Sequence, residues 1–277
     1  MEVRSLGYRA DLIFAGFSGE IIDRGEYLVI RIPSNPTFYW GNFLLFALAP
    51  GPGDEKLWRQ LLEHEIGQYP QVGHQAFGRD SVSGEIGSAK SFVRAGFRLD
   101  RMAVLKAGQK IPKVSDPNRI TIRPLADDED WAQTLENQVI CRDPGHDELS
   151  HRIFKQRQMA DYRQMAAQGM GNWFGAFPRA GLVGDLGIFH SQRIGRYQAV
   201  GVHPDFRRRA IGRKLIAHSA RYALDHFGLD TLVIVADLNP AAQRLYQATG
   251  FVASEMQASL ELWLPPPATS PTPAAPR

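Results

Sequence analysis

The chain has 277 residues, of which 44% are hydrophobic and 22% charged; this excludes a disordered protein and leaves core enough for one large domain or two of ordinary size. A formal net charge of +3 is too small to argue for nucleic acid as a partner. A lone cysteine, Cys141, excludes an intrachain disulfide and any Cys/His set at zinc spacing, so a reducing compartment and no metal are expected.

Met1 to Asp11 holds Glu2, Arg4, Arg9 and Asp11, and no apolar signal-peptide core follows the first methionine. The most apolar stretch, Thr37 to Pro50, is too short for a membrane span and carries Gly41 and Asn42. A cytoplasmic protein without membrane contact is the expectation. Tyr27–Ile32 and Phe43–Ala49 read as strands and Glu55–Ile66 as a helix. Ala107 to Arg119, polar with two prolines and a glycine, reads as a linker, and Pro265 to Arg277 as a disordered Pro/Ala-rich tail. The expected organisation is a module over 1–108, a linker over 109–118, a second module over 119–264 and the tail over 265–277.

The second module alternates strands and helices. Ile120–Pro124 is a short strand, and Asp127 to Asp130 place acidic residues at a helix start, where the dipole favours them. Helices are predicted to about Arg142 and over Asp147–Gln168. Asn172–Phe177, Leu182–Phe189 and Arg196–Val202 follow as strands joined by turns at Pro178, Gly181 and Gly195, which favours antiparallel hairpins. Ile211–Phe227 is amphipathic, with Ile211, Leu215, Tyr222 and Phe227 on one face. Thr231–Ala236 (TLVIVA) has the continuous apolar character of a strand buried on both faces. Asn239-Pro240 starts a helix, Gly250 stops it, and a last strand covers about Ala258 to Leu264.

The modules read as a repeat. SAKSFVRAGF, ending at Phe97, and AAQRLYQATGF, ending at Phe251, are both short helices closed by Gly-Phe, followed by Met102–Leu105 in one module and Leu260–Trp263 in the other.

The run from Tyr197 to Gly212 (YQAVGVHPDFRRRAIG) takes a strand through a basic turn into a helix. Amides at a helix start have no intrahelical partner and attract anions. Ala210 and Gly212 are small enough to admit a phosphate, and Arg207, Arg208 and Arg209 complement its oxygens. The position between an apolar strand and an amphipathic helix argues for a pyrophosphate site over a solvated basic turn.

This run resembles the signature of the GNAT superfamily of acetyl-CoA-dependent N-acetyltransferases, Gln/Arg-x-x-Gly-x-Gly/Ala, with Arg207 to Gly212 in place and Ala210 where the first glycine stands. The family's second mark, Asn-x-x-Ala-x-x-Leu-Tyr-x-x-x-Gly-Phe, is matched by Asn239, Ala242, Leu245, Tyr246, Gly250 and Phe251. The resemblance covers Ile120 to Trp263 and implies an α/β (α+β) fold of two tandem GNAT-like modules, each a mixed, mostly antiparallel sheet flanked by helices. It also implies roles. Val200, Gly201 and Val202 would pair with the pantetheine arm, and Arg207 to Gly212, Ile211 included, would hold the pyrophosphate. Asn239 would contact the cofactor arm, and Tyr246 would protonate the leaving thiolate. A backbone amide of the same strand would stabilise the oxyanion.

The base is less defined. Arg196 and Gln198 stand where many relatives carry Glu and cannot accept a proton usefully, so Asp185 and His203 are the nearest candidates. The acceptor is expected to be a small-molecule amine, and a monomer or homodimer fits. In the first module Phe92 falls opposite Tyr246 and Glu85 opposite Asn239, and its turn reads Pro50-Gly51-Pro52-Gly53-Asp54, so it is expected to be non-catalytic. Its aromatic segment Asn35–Phe43 is a candidate wall for the acceptor pocket. The alternative reading is a non-catalytic acyl-CoA-binding or sensor protein that kept the fold.

Overall fold

The computed structural model describes residues 1–69, 73–115, 120–178 and 181–263; part of the expected linker (116–119), Leu264 and the expected tail over 265–277 lie outside them. The first half runs α1 (Leu6–Ser18), β1 (Glu20–Asp23), β2 (Tyr27–Arg31), β3 (Phe43–Phe46), α2 (Asp54–Ile66), β4 (His74–Arg79), α3 (Lys90–Arg94) and β5 (Arg98–Ala107). The second runs β6 (Thr121–Pro124), α4 (Asp128–Ile140), α5 (Glu148–Ala167), β7 (Gly171–Phe177), β8 (Gly184–Ser191), β9 (Ile194–Val202), α6 (Ile211–Phe227), β10 (Thr231–Asp237), α7 (Pro240–Gln247) and β11 (Val252–Trp263). Side-chain caps start the helices where the sequence places them. Asp127 accepts from the Asp130 amide, Asp147 from Ser150, and Asn239 from Ala241 and Ala242.

The tandem repeat is visible in the geometry. Each half holds one parallel pair, β3 with β4 and β9 with β10, spanned by a helix (α2 or α6). Each then has a short helix closed by a left-handed glycine, Gly96 at φ 94° and Gly250 at φ 93°, a conformation that a side chain would strain. The following Phe97 and Phe251 are buried in the cores of their own halves.

The last strands are exchanged between the halves. The eleven-stranded sheet has the order β1-β2-β3-β4-β11-β5-β10-β9-β8-β7-β6. β5, from the first half, pairs antiparallel with β10, while β11, from the second, pairs antiparallel with β4, and the two exchanged strands pair with each other. Ala258 and Leu260 of β11 therefore sit in the first half's core with Phe77, Phe92 and Trp58, and Ala103 and Leu105 of β5 sit in the second half's core.

α6 and α7 cover one face of the second half. The other face carries α1, α4 and α5. α1 lays Leu6 and Ala10 on Val104 and Val233, and Ile13 and Phe14 against Tyr162, Trp173 and Phe189. A helix from the first half thus packs on strands of the second. Among the described residues no helix is long and apolar enough to cross a membrane.

Leu260 lies in the second half by sequence but is fully buried in the core of the first. Leu260→Ala should cost about 2–5 kcal/mol and lower the melting temperature in one cooperative transition, because β11 is common to both halves. Calorimetry that instead shows one half melting early and the other unchanged would contradict the shared sheet.

Candidate functional site

β10 pairs with β9 only at Thr231↔Ile194, Leu232↔Gly195 and Val233↔Arg196. Beyond that register β9 continues to Val202 and β10 to Asp237, so the two strands diverge and leave an edge of β9 open. At the fork, Arg196 donates from Nε to Asp11 Oδ1 of α1 at 3.0 Å, and Gln257 Nε2 donates to the other carboxylate oxygen at 2.9 Å.

A cavity of about 550 Å³ occupies the mouth of this fork. Val200, Gly201 and Val202 of β9 form one wall, Arg207, Arg208, Ala210, Ile211 and Gly212 the floor, and Leu245 and Tyr246 of α7 the far side. The turn from β9 to α6 is tight: Arg208 and Ala210 have φ of 61° and 58°. A left-handed non-glycine residue costs roughly 1–2 kcal/mol, and Ala210 stands where the resembling signature has glycine. No side chain caps α6, whose first backbone bond is Lys214 N to Ala210 O, so the amides of Ile211 to Arg213 and the positive end of the helix dipole meet at the cavity floor.

The expected residues do not all face this space. Arg207 lines it and donates from Nε to Val202 O at 3.1 Å. Arg209 turns back, donating to Asp205 O at 3.2 Å and lying over the Phe206 ring. Asn239 is taken up by capping α7, with Oδ1 2.8 Å from the Ala241 amide. Tyr246 is 9% exposed, and burial holds its phenol above the ordinary range, with Asp237 adding to the effect and Arg196 opposing it. The phenol is therefore protonated at neutral pH.

None of the candidate bases meets the cavity. Asp185 is fully buried behind β9 and accepts from Asn137 Nδ2 at 2.6 Å, Gln138 Nε2 at 2.5 Å and Trp173 Nε1 at 3.1 Å. Burial raises its pKa to about 7, against those three bonds and the nearby Lys155. His203 accepts from the Asp205 amide and packs edge-on to Phe206. Lys155 is buried with Nζ on Gln158 at 2.9 Å, and burial lowers its pKa to about 8.

Sequence reasoning missed three neighbours of the site. Cys141 lines the cavity, its Sγ 3.4 Å from Val202 O; burial raises the thiol, which argues against a nucleophile. Asn137 and Gln138 are buried on the inner face of α4, and their signal was the polar stripe Thr134, Asn137, Gln138 at helical spacing. The aromatic segment Asn35–Phe43 does not reach this cavity. Phe38 packs on Phe154 of α5, Asn35 donates to Phe154 O, and Thr37 and Phe38 border a separate hollow of about 310 Å³ with His151 and Trp263.

The corresponding corner of the first half is filled. β3 stays paired with β4 through Phe46↔Arg79, at its own end, and Trp58 of α2 stacks on Phe46 with ring centroids 3.6 Å apart. Asp54 Oδ2 accepts from the Gly51 amide at 2.7 Å, placing a carboxylate where α6 offers free amides.

Residues 143–251 match the family model described as the acetyltransferase (GNAT) family. No protein of curated function matches the sequence. Among solved structures, a conserved protein of unknown function from Staphylococcus epidermidis is similar at 16% identity and a TM-score of 0.73, over 90% of this chain and 96% of that one. A GCN5-related N-acetyltransferase from Kribbella flavida is similar at 12% identity and 0.65, over 91% and 93%. A tandem GNAT protein from the clavulanic acid biosynthesis pathway is similar at 14% identity and 0.53, over 81% and 76%. These likenesses extend the shared fold through the first half.

The buried carboxyl of Asp185 makes stability depend on pH. The unfolded side chain loses its proton near ~4, whereas the folded one holds it to about 7. Its contribution is therefore complete below the unfolded value and is lost as pH rises through the folded one. Between pH 5 and 7.5 the melting temperature of the wild type should fall more steeply than that of Asp185→Asn, whose side chain does not titrate. Parallel curves in thermal melts would rule the buried acid out.

Proposed function

From the match of residues 143–251 to the acetyltransferase (GNAT) family model, we propose that the chain transfers an acetyl group from acetyl-CoA to a primary amine of a small molecule, both bound in one cleft. The observation that carries this reading is that the open edge of β9, the uncapped start of α6 and Tyr246 border a single cavity.

The pyrophosphate would lie on the amides of Ile211 to Arg213, with Arg207 and Arg208 beside it. The pantetheine amides would complete the edge that β10 leaves at Val200 to Val202, as an added strand does. This places the thioester between the bend of β9 and Tyr246. The amine nitrogen attacks the thioester carbonyl; the C–N bond forms, the C–S bond breaks, and the sulfur takes the phenolic proton of Tyr246. Burial raises the phenol, and the same desolvation raises the thiol formed, so the two acids stay matched. The amine gives up its proton to water, since Arg196, Gln198, His203 and Asp185 are not at the cavity wall. Most of the rate enhancement then comes from holding both reactants together.

The first module, 1–108, serves as a non-catalytic wall to the catalytic module, 119–264. Its filled corner supports this, and its exchanged strand and α1 give the second module the partner surface that a second subunit would otherwise supply. A monomer is then sufficient.

Titration calorimetry should show one saturable site for acetyl-CoA. Tyr246→Phe should bind it within a few-fold of wild type while kcat, read as thiol release with a panel of primary amines, falls about 10²-fold or more. Full turnover of the variant with every amine would remove Tyr246 as the acid. Absence of binding at millimolar acetyl-CoA would remove the transferase reading itself.

A further inference from the structure

β9 does not run straight past the cavity. Its register with β8 slips between Gly187↔Gln198 and Asp185↔Gly201, so Ala199 and Val200 together oppose Leu186 alone. This is a β-bulge, and it leaves one residue's polar groups outside the ladder. Ala199 adopts φ 45°, a left-handed conformation that a non-glycine residue keeps only when its surroundings impose it.

The surroundings are explicit. Gln138 Nε2 donates one proton to Ala199 O at 2.9 Å and the other to Asp185 Oδ1 at 2.5 Å. Asp185 is held in turn by Asn137 and Trp173. The α4 amides lie hard against the strand: a Cβ at Gly201 would come within 3.2 Å of Gln138 Nε2 and 3.3 Å of Asn137 Nδ2, so glycine there lets the amides reach the bulge. Ala199 C=O is thereby turned toward α4. The N–H of Val200 belongs to the same trans peptide and points the opposite way. It is directed away from α4, and Val200 lines the cavity.

We propose that Asp185 is a positioning residue for acyl transfer: acting through Gln138, it fixes the 199–200 peptide so that the Val200 amide faces the thioester carbonyl. The proposal rests on the transferase reading above and gives Asp185 a role other than base. A buried amide can turn both its protons to acceptors, and a carboxylate, with no proton of its own to offer when ionised, sets which way Gln138 points. With Gln138 lost, the Ala199 carbonyl loses its donor; with Asp185 lost, the Gln138 amide loses the acceptor that sets its direction. Either way the peptide is freer to rotate until the amide leaves the cavity.

Two measurements test this. In a crystal structure of Gln138→Leu, similar in size but unable to donate, the 199–200 peptide should be rotated relative to wild type; an unchanged peptide overturns the proposal whatever the enzyme turns over. With acetyl-CoA and the amine panel, Gln138→Leu and Asp185→Asn should lose about 10²-fold in kcat, the usual effect of one oxyanion donor, with acetyl-CoA affinity unchanged. Leu260→Ala, in the distant core of the first half, supplies the control for lost stability. If Gln138→Leu loses no more kcat than Leu260→Ala, the side chain is structural only and the proposal fails. If wild type binds acetyl-CoA but acetylates no amine, the transferase reading fails instead, and the crystal structure still decides the peptide.

Discussion

The site depends on where two parallel strands stop pairing. β9 and β10 share hydrogen bonds as far as Arg196 and Val233 and then separate. A strand edge abandoned inside a folded protein leaves amides and carbonyls in need of partners, so a fork of this kind is kept open only if something holds its two arms. At its base the Arg196 guanidinium is nearly buried and is paired with Asp11. Breaking such a pair from one side costs about 3–5 kcal/mol, because the remaining charge has no solvent. The anchoring carboxylate comes from α1, which lies in the first half of the chain. Farther along the same strand, Gln138 donates to Ala199 O at the bulge. β9 is therefore tied at the base of the fork by the first half and beyond it by α4.

This arrangement gives the strand exchange a consequence for chemistry. β5 stands beside β10 where the second half's own last strand would otherwise lie, and β11 stands beside β4. Removal of either half would strip a neighbour from the middle of the sheet and expose long unpaired edges, a hazard for aggregation. The first half is thus built into the site's foundation even though its own fork is closed.

Much of the second half was legible because its signals are local. The uncapped basic turn into α6, the Asn239-Pro240 start of α7 and the Gly250-Phe251 stop are each set by a few adjacent residues, and the structure keeps all three. Pairing of β5 and β11 was not legible, since both read as similar strands after similar helices and nothing local says which sheet each will join. α1 is an element the sequence expectations lack, although Leu6, Ala10, Ile13 and Phe14 have the i, i+4, i+7, i+8 spacing of a buried helix face. Asp185 lies on a strand as expected, but it does not reach the cleft: it is buried behind β9 among Asn137, Gln138 and Trp173, and the extra residue in β9 leaves no mark in the sequence. Asn239 and Arg209 show the opposite limit. Their motif positions were plain, yet a cap and a cation–π contact claim the side chains.

The two halves show how little separates a filled corner from an open one within one fold. In both, a helix follows the strand that enters the parallel pair, and in both a short helix closes on Gly-Phe. In the first, β3 ends while still paired, so there is no open edge for an added strand to complete, and Trp58 stacks on the last residue of β3. In the second, β9 outruns its partner, and Val200 and Val202 border open space. Filling the first corner requires a large aromatic and a carboxylate at the helix start, which together remove both the room and the positive potential that a diphosphate needs. In the second corner no carboxylate stands in the first turn of α6, no large aromatic fills the space, and the bulge in β9 is held from behind by Gln138. The left-handed Ala210 and Ala199 are the strain that accompanies that open corner, one at the start of α6 and the other at the bulge of β9.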